Sequence, residues 1–203
     1  MTSRRSLLLV MTAAFALALA LGAAYFLMRD DPSGYASQDL DGRTVEWDRR
    51  PDAEGSAVRE TGERFEVASV DLSVPLLSAV VANGEINPPT LTDAFWYRET
   101  AELGGPGTSV IALHAVRGGR GPGNALVDVE GANPALRVHP GDLLDAGSVR
   151  YQVTGTMIAS KQETAADPRI WGESDHDALA VITCVPTDDR NAVIFATAVG
   201  NTE

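Results

Sequence analysis

The stretch Leu179-Ala180-Val181-Ile182-Thr183-Cys184-Val185-Pro186-Thr187-Asp188-Asp189-Arg190-Asn191-Ala192-Val193-Ile194-Phe195-Ala196-Thr197-Ala198-Val199 decides the fold. Two apolar, β-branched runs are split by a short insert of proline, threonine and paired aspartates, which reads as strand, loop and strand. The same grammar extends outward through segments 65–70, 74–81, 109–115, 150–158, 179–184 and 192–199. Between them stand Asn83-Gly84, Asn87-Pro88-Pro89, Gly104-Gly105-Pro106-Gly107, residues 118–123 and Pro140-Gly141-Asp142, each a turn signal. An all-β domain with little helix follows. One short helix is expected over residues 92–101, capped by Thr92 or Asp93, with Phe95 and Trp96 facing inward.

Composition narrows the function. The chain has 203 residues, with 28 Asp and Glu against 16 Lys and Arg, for a net charge of −12. Lys161 is the single lysine and the arginines are scattered, so no basic patch exists to release counterions from a nucleic acid. At 44% apolar and 22% charged residues, the chain has enough apolar material for one core. Its one cysteine, Cys184, excludes an intramolecular disulfide framework and a cysteine-rich zinc site.

Residues 7–28 form an apolar run that a helix would stretch to about 33 Å, enough to cross a bilayer and longer than the apolar region of a secretory signal peptide. Arg4 and Arg5 precede it, while Asp30 and Asp31 follow Arg29, so the positive-inside rule leaves the N-terminus in the cytoplasm. The expected organisation is a cytoplasmic segment 1–6, a transmembrane anchor 7–28, an extracellular linker 29–62 and a folded domain 63–203. The linker reading rests on nine acids and five arginines interrupted by proline and glycine; docking of Val45, Trp47 and Val58 on the domain is the alternative.

Three residues at strand ends bring chemistry. Cys184 closes one apolar run, His114 closes another and precedes a glycine-rich loop, and Arg190 opens the last strand six residues after the cysteine. Each alone has a plainer reading: a small buried hydrophobe, a structural histidine, and a turn charge paired with Asp188 or Asp189. Together they suit acyl transfer: a thiolate attacks a carbonyl, an imidazolium protonates the leaving amine, and a guanidinium stabilises the oxyanion and favours the thiolate. His139 and His176 lie in polar turns and read as surface residues. Asp175-His176-Asp177 is a poor metal site because neighbours on an extended chain face opposite ways.

These residues resemble the sortases, membrane-anchored cysteine transpeptidases of Gram-positive surfaces. The family signature Thr-Leu-x-Thr-Cys is kept here as Ala180-Val181-Ile182-Thr183-Cys184, with Ala180 in place of the first threonine. Leu136-Arg137-Val138-His139-Pro140-Gly141-Asp142 is similar to the family's turn before a central strand, and Leu113 stands where many members have glycine. Ile86-Asn87-Pro88-Pro89, Phe95-Trp96-Tyr97 and Gly105-Pro106-Gly107 are similar to actinobacterial class E and F members.

The resemblance implies an eight-stranded, mostly antiparallel β-barrel with short helices. It implies Cys184, His114 and Arg190 as catalytic residues, with Thr183 lining the substrate site near the oxyanion. The implied reaction cuts an LPxTG-like sorting signal through a Cys184 thioester and passes the protein to an amine of a peptidoglycan precursor or a pilin lysine. No cofactor or metal is implied. The partners are sorting-signal peptides, the amine acceptor and the membrane through the N-terminal helix, with no nucleic acid. The competing readings are a silent sortase-like surface module that binds peptides and an exported L,D-transpeptidase, whose Ser-x-Gly-Cys surroundings are absent.

Overall fold

The computed structural model describes residues 35–47, 51–172 and 174–201. The expected transmembrane anchor, residues 7–28, lies outside them, and among the described residues no helix is long and apolar enough to cross a membrane.

Eight strands close into a barrel: β3 (Arg59–Val67), β4 (Leu72–Ala79), β5 (Ala94–Tyr97), β6 (Gly107–Leu113), β9 (Leu143–Ala146), β10 (Val149–Ser160), β11 (Asp177–Cys184) and β12 (Arg190–Asn201). They run in the order β10-β12-β11-β6-β5-β4-β3-β9, and the ring closes from β9 back to β10. Only β4 with β5 and β6 with β11 pair parallel, so the barrel is mostly antiparallel, as expected. Outside the barrel stand the hairpin β1 (Tyr35–Gln38) and β2 (Thr44–Trp47), and the small pair β7 (Val127–Asp128) and β8 (Ala135–Leu136).

The burial pattern explains why some strands were plain in sequence. β6 and β11 are buried along nearly their whole length, the mark of a parallel pair covered on both faces, so each reads as one apolar run. β4 instead alternates over its first half, because only alternate side chains enter the barrel.

Two apolar clusters follow from the pleat. Phe65, Leu76, Ile111, Leu113, Leu179, Val181 and Ile194 fill the interior. Their strand neighbours Phe95, Tyr97, Val110, Ala112, Ala180, Ile182 and Val193 face outward, where Ile170 covers them with Ile86, Met157 and Phe195. Fully burying a side chain such as Phe65, at 0% exposure, contributes roughly 1.5–3 kcal/mol.

Among the described residues, three short α-helices decorate the barrel: α1 (Gly123–Leu126), α2 (Lys161–Ala166) and α3 (Pro168–Trp171). A capping box starts α2: the Ser160 hydroxyl accepts from the Glu163 amide while the Glu163 carboxylate accepts from the Ser160 amide. The Asp167 side chain caps α3.

Two expectations are corrected. Residues 92–101 form no helix; Ala94–Tyr97 is barrel strand β5, held between β4 and β6. Thr92 and Asp93 do meet, but as a hydroxyl donating to a carboxylate at 3.1 Å rather than as a helix cap. The stretch read as a linker, 29–62, carries the β1–β2 hairpin and the start of β3, and one compact unit begins at Tyr35.

Candidate active site

Cys184 ends β11 and His114 directly follows β6. These strands pair parallel with Ile182 opposite Ala112, and two residues further along each chain stand Cys184 and His114. Side chains two apart share a face. Ala180 and Ile182 lead to Cys184, and Val110 and Ala112 lead to His114, all along the outward face. Register and pleat thus bring thiol and imidazole to the same rim on the same side. Arg190 opens β12, whose Asn191 lies opposite Cys184, so it joins that rim.

The imidazole is held from the loop between β4 and β5. His114 Nε2 lies 2.8 Å from the Pro88 carbonyl oxygen. A carbonyl only accepts, so Nε2 carries the proton. Burial pushes the imidazole below its ordinary value, against the raising effect of the Pro88 bond. The half-buried thiol is pushed up, first by burial; Lys161 opposes this and Asp189 adds to it. Both shifts favour the neutral pair over thiolate and imidazolium.

Arg190 is engaged elsewhere. Its Nε and Nη2 donate to Asp188 Oδ2 at 3.0 and 2.7 Å, and its backbone amide donates to Asp188 Oδ1 at 2.8 Å. The turn-charge reading thus describes its resting contact. Lys161 is a second cation whose charge lowers the thiol's pKa. β10 ends at Ser160 opposite Arg190, which puts Lys161 on the same rim. Sequence reading had given this lysine no role.

Thr183 turns away from the thiol's face of the strand. It precedes Cys184 on the strand, so it faces the other way; it is 3% exposed and its hydroxyl has no hydrogen-bond partner. It abuts Gly123, where a β-carbon would lie 2.0 Å from Thr183 Oγ1.

The loop after His114 folds back on the histidine's own backbone. The Gly123 amide donates to the His114 carbonyl at 2.8 Å. A β-carbon on Gly121 would come within 2.5 Å of the same oxygen, so this approach needs glycine. The Asn124 side chain cinches the loop, accepting from the Val116 and Gly121 amides at 2.8 and 2.7 Å and donating to the Val116 carbonyl at 3.0 Å. Arg117 Nε reaches across to the Pro186 carbonyl at 3.0 Å, tying this loop to the one after Cys184. Pro88, Asn124 and Arg117 were missed as site-building residues, since the glycine and proline of those segments signalled only turns.

His139 and His176 are exposed in turns. Among the described residues, no three His, Cys, Asp or Glu side chains gather to hold a metal.

A closed barrel whose rim carries a thiol, an imidazole and a guanidinium defines a class of fold and site. The sortase domain family matches residues 65–199. The chain belongs to the sortase family, whose members are cysteine transpeptidases. Among solved structures, sortase C1 of Streptococcus agalactiae is 15% identical with a TM-score of 0.50, covering 74% of this chain and 71% of its own. Sortase C-1 of Actinomyces oris is 18% identical with a TM-score of 0.50, covering 68% and 71%. Sortase A of Listeria monocytogenes is 18% identical with a TM-score of 0.49, covering 70% and 90%. A comparison with curated protein sequences finds no match.

Proposed function

We propose that this protein is a membrane-anchored sortase of the class E and F type that cuts an LPxTG-like sorting signal outside the cell and transfers the new carboxyl end to an amine. The observation that carries this reading is the shared register and face of Cys184 and His114 at the ends of paired strands.

The reaction divides between the three groups. Thiolate Cys184 Sγ attacks the threonine carbonyl carbon, and the C–S bond forms as the carbonyl electrons move to oxygen. Arg190 faces that oxyanion after exchanging part of its contact with Asp188. The intermediate collapses, the Thr–Gly C–N bond breaks, and imidazolium His114 gives its proton to the departing glycine amine. Neutral His114 then takes a proton from the incoming amine, which attacks the thioester and expels Cys184 as thiolate. The acceptor amine belongs to a peptidoglycan precursor or a pilin lysine, and the run 7–28 supplies the anchor.

Intact-mass spectrometry tests this on the exported part, started ahead of Tyr35 so that the compact unit is whole. LPxTG-type and LAxTG-type peptides are incubated with wild type and Cys184→Ala, with and without a small amine. A peptide-sized adduct on wild type alone, released by the amine as a peptide–amine product, is the expected result. No adduct from folded protein with an alkylatable thiol would overturn the reading for these motifs.

A further inference from the structure

The hairpin at the start of the compact unit touches both arms that hold His114. One arm is the backbone loop after the histidine. The Asp39 Oδ2 atom accepts from the Arg120 amide at 2.8 Å and the Leu40 amide donates to the Arg120 carbonyl at 2.8 Å, so the hairpin grips both backbone polar groups of that residue. Arg120 adjoins Gly121, which lies against the His114 carbonyl. The other arm is the segment whose Pro88 carbonyl accepts from the imidazole. Leu91, three residues on, is buried with Val116 from the first arm, and Tyr35 and Val45 of the hairpin pack on that pair. Asp39 is itself 3% exposed, and its other oxygen accepts from the Asp41 and Arg43 amides at 2.9 Å each, which shapes the hairpin turn.

We infer that the β1–β2 hairpin is a clamp that sets the position of His114, with Asp39 as its positioning residue. This rests on the proposed role of His114 in acyl transfer. The contact joins segments 81 residues apart, so it is built by the tertiary fold and not by local turn chemistry. Burial opposes the negative form of Asp39, but bonds from the Arg43, Arg120 and Asp41 amides outweigh it and keep the carboxyl below its ordinary range. A carboxylate that accepts from three amides serves the backbone it grips. The imidazole needs such support because misplacing a reacting group by about 1 Å lowers a rate on the order of a hundredfold.

Two substitutions test the clamp in the full-length protein in detergent. Asp39→Asn keeps Oδ1 for the turn amides and sets an NH2 group against the Arg120 amide, so it breaks the grip while leaving the hairpin formed. Gly119→Ala pushes the hairpin off sterically, since a β-carbon there would lie 2.9 Å from Asp39 Oδ2, Val45 Cγ2 and Val116 Cγ1. Each should lower kcat for acylation by an LPxTG-type peptide by about fivefold or more, with KM within about twofold, because the hairpin orients a reacting group and does not bind peptide. Each should also shift the His114 ring-proton NMR signal in the absence of peptide. Unchanged kcat in both variants overturns the clamp, as does a raised KM with unchanged kcat, which would make the hairpin a peptide contact. A fall in kcat matched by an equal loss of folded protein, measured by thermal unfolding, also overturns it. If wild type forms no thioester, the transferase reading fails; the NMR signal then judges the clamp separately, and an unchanged signal in both variants overturns it.

Discussion

Replacing Gly123 by alanine tests how tightly the loop behind His114 is seated. The added β-carbon would lie 2.0 Å from Thr183 Oγ1 and 2.9 Å from both the Ala115 amide nitrogen and the His114 carbonyl oxygen. The last two are backbone atoms of the segment that carries the histidine, so relief requires moving that segment. Overpacking of this kind costs roughly 1–3 kcal/mol, and this site belongs at the upper end because the backbone blocks it. Against that, Gly123 opens a helix at an ordinary negative φ, where alanine gains about 0.4–1 kcal/mol by restricting the unfolded chain. The net loss is about 2 kcal/mol, a fall in Tm of about 4–8 °C for a domain of this size. Thr183→Ala removes the nearest clash and an unpartnered buried hydroxyl, so Gly123→Ala should cost less in that background, with a coupling of about 1 kcal/mol. Thermal unfolding of the four proteins by circular dichroism reads the cycle. A Tm for Gly123→Ala within about 1 °C of wild type, or strict additivity with Thr183→Ala, would refute the packing argument.

Three further outcomes follow from the rim's electrostatics. Acylation should be bell-shaped in pH, with the acid limb below the ordinary imidazole value of 6.5 and the basic limb above the ordinary thiol value of 9.0; kcat/KM across pH checks this, and limbs inside that window contradict it. Lys161→Gln should move the thiol pKa further up and Asp189→Asn should move it down, read from alkylation rate against pH; an unchanged value in both would show that neither charge reaches Cys184. His114 has a folded-state value below its unfolded one, so its stability contribution is full above about 6.5 and is lost as pH falls from there through the lower folded-state value. Tm measured from pH 7.5 to 5 should therefore drop less in His114→Asn than in wild type.

The sequence was legible where burial leaves a local trace. β6 and β11 announced themselves because side chains buried on both faces make an apolar run, β12 by its β-branched and apolar residues 192–196, and the strand ends then placed Cys184, His114 and Arg190. β9 is only four residues long, too little for a legible periodicity. β5 was mistaken for a helix because Thr92 and Asp93 look like a cap, whereas pairing to β4 and β6 outweighs local preference. The hairpin escaped notice because its hold on the barrel is a carboxylate taking backbone amides and a few apolar contacts among many charges.

By itself, the sequence determined the β class, the single thiol, and the chain order of three reactive groups at strand ends, since these depend on residue type and near neighbours. The tertiary structure alone decided that Pro88 holds the imidazole from 26 residues away, that Asp188 engages Arg190, that Lys161 shares the rim with Cys184, and that Asp39 grips the loop behind His114. Those assignments are contests between several candidate donors and acceptors. Barrel closure settles them by fixing which groups lie within hydrogen-bonding reach.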